Sequence, residues 1–286
     1  MSYRTIFAAV SGGTATGGVL ELACRLARRF EAHLEGFHVK VDPGEMLIMV
    51  ANGLSGPLAR RWIDEVRDEA GVTAAKTKAE FEAATARHGI PAAASPPKVV
   101  ASAGWREEEG FPSVLVARRA RFFDLAVLGR SGRVLDQPHT DTIDETLLRS
   151  GRPVLLAPAQ PPETFGDAVA LGWNGSPGSV RAMAGALPFI ASARSVSILT
   201  IGEEEGRELS SVVDYLAWQG VAATHRYLRP VSGVAAGQQL LAAAQDSGAD
   251  LVVMGAYGQA PWRESLFGGV TVEVVSSSRL PVLLSH

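Results

Sequence analysis

The chain has 286 residues, 47% hydrophobic and 20% charged, with a formal net charge of −3. That composition excludes a disordered or fibrous chain and holds enough apolar material for one large core or two of ordinary domain size. The slight acidity, without Lys/Arg runs, gives no electrostatic case for nucleic acid or anionic lipid as main partner. No uninterrupted apolar segment reaches bilayer-spanning length, so no membrane segment is expected.

Met1–Thr5 lacks a signal-peptide layout and the single cysteine cannot form an intrachain disulfide, so a cytoplasmic location is expected. Cys24 lies among Leu20, Ala23, Leu26 and Ala27 and reads as core filler.

In chain order, the apolar run 5–10 reads as a buried strand. A glycine-bracketed turn follows, then a helix over 19–30 with a Leu22, Leu26, Phe30 stripe, and a strand over 33–39. Helical periodicity is strongest over 58–87 and is broken by His88-Gly89-Ile90-Pro91. A strand is expected within 99–106, a helix over 111–121, a strand over 125–128, a helix over 140–148 and a closing strand over 154–156. The proline-rich Ala157–Pro162 reads as a linker between domains at 1–157 and 163–286. Beyond it the pattern predicts strands at 168–173, 195–201, 222–228, 251–254 and 282–284. Helices are expected at 179–190, 208–218, 237–245 and 271–277.

The two halves repeat one another. Asp124-Leu125-Ala126-Val127-Leu128-Gly129 returns as Asp250-Leu251-Val252-Val253-Met254-Gly255, and Pro153-Val154-Leu155-Leu156 returns as Pro281-Val282-Leu283-Leu284. A duplicated α/β unit accounts for this: two Rossmann-like domains, each a five-stranded parallel sheet with helices on both faces. Such sheets bind ligands at strand C-termini near a switch point, which requires strands one and four of each half to be neighbours.

Glycines mark where a ligand would sit. Gly255 and Gly258 follow a buried strand, and Gly268-Gly269-Val270-Thr271 opens the next helix, whose N-terminal amides can accept an anion. Ordinary strand-to-helix turns account for the same glycines equally well. The Walker A lysine and the GxGxxG dinucleotide fingerprint are both missing. Trp173-Asn174-Gly175-Ser176 ends the first strand of the second half, with Ser176 placed to cap a helix or meet a phosphate. Arg263 is a further phosphate candidate, and His225 reads as a surface group with no second metal ligand at spacing.

Taken together this pattern resembles the universal stress protein family in its tandem two-domain form. The family's nucleotide signature, G-x2-G-x9-G-(S/T), is matched by Gly255, Gly258 and Gly268, with Gly269 at the Ser/Thr position and Thr271 two residues on. Asn174 stands where nucleotide-binding members carry an aspartate; Gly129 and Gly132 of the first half lack the later glycine pair. The resemblance implies a non-catalytic stress-response protein binding an adenine nucleotide, ATP or AMP, in the second domain, with Mg only if a triphosphate is bound. The site it implies comprises Trp173, Asn174, Gly175, Ser176, Gly255, Gly258, Gly268, Gly269, Val270 and Thr271. It also implies an internal pseudo-dimer of the two domains through their last strands, with a homodimer of chains left open. Two other readings stay open: a structural or interaction module with vestigial pockets, and a slow ATP hydrolase.

Overall fold

The computed structural model describes residues 2–43, 56–93, 100–130, 137–202, 207–256 and 269–286. Contacts divide the chain into two units, Tyr3–Ser150 and Gly151–His286, the latter with Met1–Ser2.

The first unit runs β1 (Thr5–Ala9), α1 (Thr16–Phe30), β2 (His33–Lys40), α2 (Pro57–Arg87), β3 (Ser102–Glu109), α3 (Pro112–Ala120), β4 (Leu125–Gly129) and α4 (Gln137–Arg149). Its strands lie in the order β3-β2-β1-β4, all parallel. Two helix pairs, α1 with α2 and α3 with α4, cover the sheet. Burial on both faces explains why β1 and β4 are continuous apolar runs rather than alternating ones. Ile6, Phe7 and Ala8 are fully buried, and the Phe7 ring meets Phe37 and Phe123 at 5.4 Å each. The edge strand β3 carries Arg106 and Glu107–Glu109, a charged edge of the kind that discourages pairing with another chain.

Helix α1 starts at Thr16, three residues before the expected Val19, so Gly17 and Gly18 lie in its first turn. The buried stripe of Val19, Leu22, Ala23, Leu26 and Ala27 outweighs their low helix propensity. The helix ends at Glu31 in the left-handed region, with Arg28 and Arg29 in the last turn facing its negative pole. Cys24 is fully buried there, as the sequence indicates.

The second unit contains β5 (Val154–Ala157), β6 (Ala168–Gly172), α5 (Pro177–Ile190), β7 (Ser195–Ile201), α6 (Arg207–Trp218), β8 (Ala223–Leu228), α7 (Ala236–Asp246), β9 (Leu251–Gly255), α8 (Gly269–Ser277) and β10 (Val282–Ser285). Its strand order is β5-β10-β9-β6-β7-β8. The expectation of two all-parallel, five-stranded sheets is therefore corrected to four strands in one unit and six in the other. The cause is β5, which pairs antiparallel with β10, Leu155 opposite Leu283. All four residues of each strand are buried, so the apolar edge each would otherwise present is covered by the other.

The adjacency that a ligand site requires is present in both units. Strand β1 pairs with β4 (Ile6 opposite Leu125) and β6 with β9 (Val169 opposite Leu251). One repeated aspartate fixes each pair. Asp124 Oδ2 accepts from the backbone N–H of Arg4 at 2.8 Å and of Thr5 at 2.9 Å, and from Thr5 Oγ1 at 3.1 Å. Asp250 Oδ1 accepts from the N–H of Asp167 and of Ala168, each at 3.0 Å. In each case a carboxylate at the mouth of the fourth strand satisfies the first amides of the first strand, bonds that carry charge assistance.

Replacing Asp250, itself buried, with alanine leaves those amides unpaired; urea denaturation is expected to show a loss of about 2 kcal/mol. Asp250→Asn, which retains an acceptor, should lose less, and equal losses would contradict this assignment. A second expectation concerns Cys24, whose thiol is pushed up to about 12 by burial first and by Glu21 second. At neutral pH it should react with an aromatic disulfide reagent no faster than the chain unfolds.

Candidate functional site

The ends of β6 and β9, the start of α8 and one face of α7 enclose a cavity of ≈ 390 Å³ in the second unit. Strand β6 contributes Gly172 and, just beyond it, Trp173 and Asn174; β7 contributes Leu199 and Ile201. Met254 and Gly255 come from β9, Ala236 and Leu240 from α7, and Gly269, Val270 and Thr271 from the first turn of α8. The described lining contains no ionisable side chain. Its walls are apolar, with polar groups confined to backbone, Asn174, Thr271 and the helix start.

Six of the sequence-predicted residues thus meet at one cavity: Trp173, Asn174, Gly255, Gly269, Val270 and Thr271. Gly175 and Ser176 do not line it; they build the turn into α5. Gly175 takes φ +71°, a conformation suited to glycine. Asn174 Oδ1 accepts from Ser176 N–H at 3.1 Å, and Ser176 Oγ caps α5 by accepting from Ser179 N–H at 3.2 Å. Gly258, Gly268 and Arg263 lie outside the described residues.

Three residues have environments that the sequence does not disclose. A Cβ on Gly255 would lie 2.6 Å from both Gly178 C and Ser179 N, so α5 approaches β9 too closely for any side chain. Gly129 of the first unit is constrained in the same way, its Cβ falling 2.7 Å from Ala15 Cβ at the start of α1. The repeated glycine is therefore demanded by helix–strand packing in both units. Trp173 is 9% exposed, and its Nε1 is buried without a hydrogen-bond partner among the described residues.

A smaller cavity of ≈ 220 Å³ occupies the corresponding place in the first unit, bounded in part by Ala9, Ser11, Phe37, Pro112 and Gly129. Register explains the difference. Ala9 pairs with Phe37 where Gly172 pairs with Leu199, so bulkier groups fill the first-unit pocket. The apolar walls from Leu199, Ile201, Ala236 and Leu240 went unpredicted; the i, i+4 pair on α7 was the available signal for Ala236 and Leu240.

The imidazoles do other work. His38 Nδ1 is 2.7 Å from Val10 O, His88 Nε2 is 3.0 Å from Glu21, and His225 packs edge-on against Tyr227 at 5.9 Å. Among the described residues no group of three or more His, Cys, Asp or Glu is arranged to hold a metal ion, and no helix is long and apolar enough to cross a membrane.

A model of the universal stress protein family matches residues 230–286, the stretch containing α7, β9, α8 and β10. No curated protein matches the chain. Among solved structures, a universal stress protein from Archaeoglobus fulgidus is similar at 15% identity and a TM-score of 0.70, covering 99% of this chain and 96% of its own. A putative universal stress protein from Pseudomonas aeruginosa is similar at 14% identity and a TM-score of 0.56, covering 99% of this chain and 93% of its own. Over nearly its whole length, the chain has the fold of the universal stress proteins.

Proposed function

We propose that the chain is a non-catalytic stress-response protein whose second half binds an adenine nucleotide, ATP or AMP. The observation that carries this reading is the single cavity shared by two adjacent strand ends and a helix N-terminus. Its volume and apolar walls suit a purine held among Leu199, Ile201, Leu240 and Met254. Asn174 would meet the adenosine, its side-chain amide offering N–H donors even while Oδ1 serves the turn. The first-turn N–H groups of α8 would receive phosphate oxygens. Gly175 and Ser176 would shape the turn that presents Asn174, and Gly258 and Gly268 are proposed as the remaining members of the site. Mg would enter only with a triphosphate. The duplicated domains are taken as 1–157 and 163–286, the second carrying the ligand.

A structural or interaction module with vestigial pockets is favoured by two observations. Packing against α5 already accounts for Gly255, and Asn174 Oδ1 is already engaged by Ser176. Calorimetric titration of the full chain with ATP and with AMP separates the two readings. Nucleotide binding predicts saturable uptake, lost in Ala236→Trp, whose indole would fill the cavity while the circular dichroism stays unchanged. No uptake of either nucleotide at millimolar concentration would overturn it in favour of the vestigial reading. Phosphate release from ATP is expected to stay at the buffer rate, since the described lining supplies no carboxylate or imidazole to act as a general base.

A further inference from the structure

The first unit holds a second cavity, of ≈ 360 Å³, which shares no lining residue with the one beside Gly129. One wall is a stripe on α2, Lys76, Glu80, Ala83 and Arg87, spaced at i, i+4, i+7 and i+11 on a single helix face. The other is the turn at Gly12 and Gly13 with the first turn of α1, including Thr16 and Gly17. The walls are pressed together at Gly12: φ there is +80°, and a Cβ would lie 2.7 Å from Thr73 Cγ2 of α2.

Three observations point to an anion. First, α1 starts without a side-chain cap or an acidic residue: its N-cap is Ala15. Its counterpart α5 is capped by Ser176. The opening N–H groups of a helix have no intrahelical acceptor and carry the positive pole of its dipole. Of these, Thr16 N–H already donates to Gly13 O at 3.1 Å, so the anion would face the following amides. Second, Thr16 is 5% exposed, and its Oγ1 is buried with no hydrogen-bond partner among the described residues. A hydroxyl enclosed beside a cavity without a partner is suited to a polar ligand. Third, the α2 stripe supplies two cations and one carboxylate. Lys76 Nζ lies 3.9 Å from Glu80, which offsets part of its charge and leaves the Arg87 guanidinium to face an anion.

We propose that this cavity binds a small phosphorylated molecule. Its phosphoryl group would rest on the first turn of α1 and take hydrogen bonds from Thr16 Oγ1 and Arg87. A tetrahedral dianion accepts several such donors at once. The cavity is roomier than phosphate alone requires, which leaves space for the organic part of a monoester. Glu80 works against the charge and sets a limit on affinity. The site is independent of the nucleotide reading, because its residues belong to the other contact unit.

The test titrates the full chain with glycerol 3-phosphate at fixed ionic strength, read by calorimetry, with circular dichroism on every variant. Saturable uptake is expected, weakened about tenfold in Arg87→Ala, as loss of a charge-assisted hydrogen bond implies. Thr16→Val should weaken it as well, and Glu80→Gln should tighten it, a gain that a merely structural role would not produce. Ala236→Trp, in the other unit, should leave this uptake unchanged while abolishing that of nucleotide. The proposal is overturned if the monoester does not bind saturably. It is equally overturned if binding survives Arg87→Ala at full strength, fails to tighten in Glu80→Gln, or disappears in Ala236→Trp.

Discussion

The pairing of the first with the fourth strand in each half is the constraint from which the rest follows. Strands β1 and β4, like β6 and β9, are separated by most of a unit in sequence, yet each pair is parallel and in contact. Asp124 and Asp250 hold these pairs at the end where the strands enter the sheet. At the opposite end the strands stop beside each other at Ala9 and Gly129, and at Gly172 and Gly255. The helix following β1 or β6 must then pack across the stop of its neighbour, so the fourth strand ends in glycine in both units. A cavity lies at that place in both units, at the carboxyl ends of the paired strands.

Much of this architecture was readable in the residues, for a physical reason. Strands buried on both faces leave continuous apolar runs, such as Leu125–Leu128 and Leu251–Met254, that helices rarely imitate at that length. Helix starts were less readable. Gly17 and Gly18 argue against a helix locally, and only the stripe buried after them, decided by tertiary contact, pulls the helix back to Thr16. The partner of β5 was legible as a tendency of apolar edges to pair, but strand count and contact boundary were not. A four-residue run carries no mark of the unit to which it will hydrogen-bond.

The candidate site shows the same division. Gly255 could be singled out from the chain, but its cause could not, since a glycine required by a neighbouring helix and one required by a ligand are the same letter. Leu199, Ile201 and Leu240 read as ordinary core, and they are apolar like the rest of it; only their position at strand ends and on α7 makes them walls. The difference between the two pockets rests on substitutions as small as Ala9 for Gly172 and Phe37 for Leu199. Thr16 illustrates the limit most clearly. Nothing in a lone threonine before two glycines signals a hydroxyl shut away from every partner.

The register of β5 on β10 brings two runs of nearly the same sequence face to face. Leu155 and Leu283 hold the same place in their respective copies, and they face each other; Val154 and Leu156 face Leu284 and Val282. The seam is thus self-complementary about its centre, with the leucine pair at the middle and a Val–Leu pair on either side. The two strands are separate stretches of one chain, so a larger residue in one can be answered by a smaller one in the other. Along these three facing pairs, each side chain sets the room left to its partner.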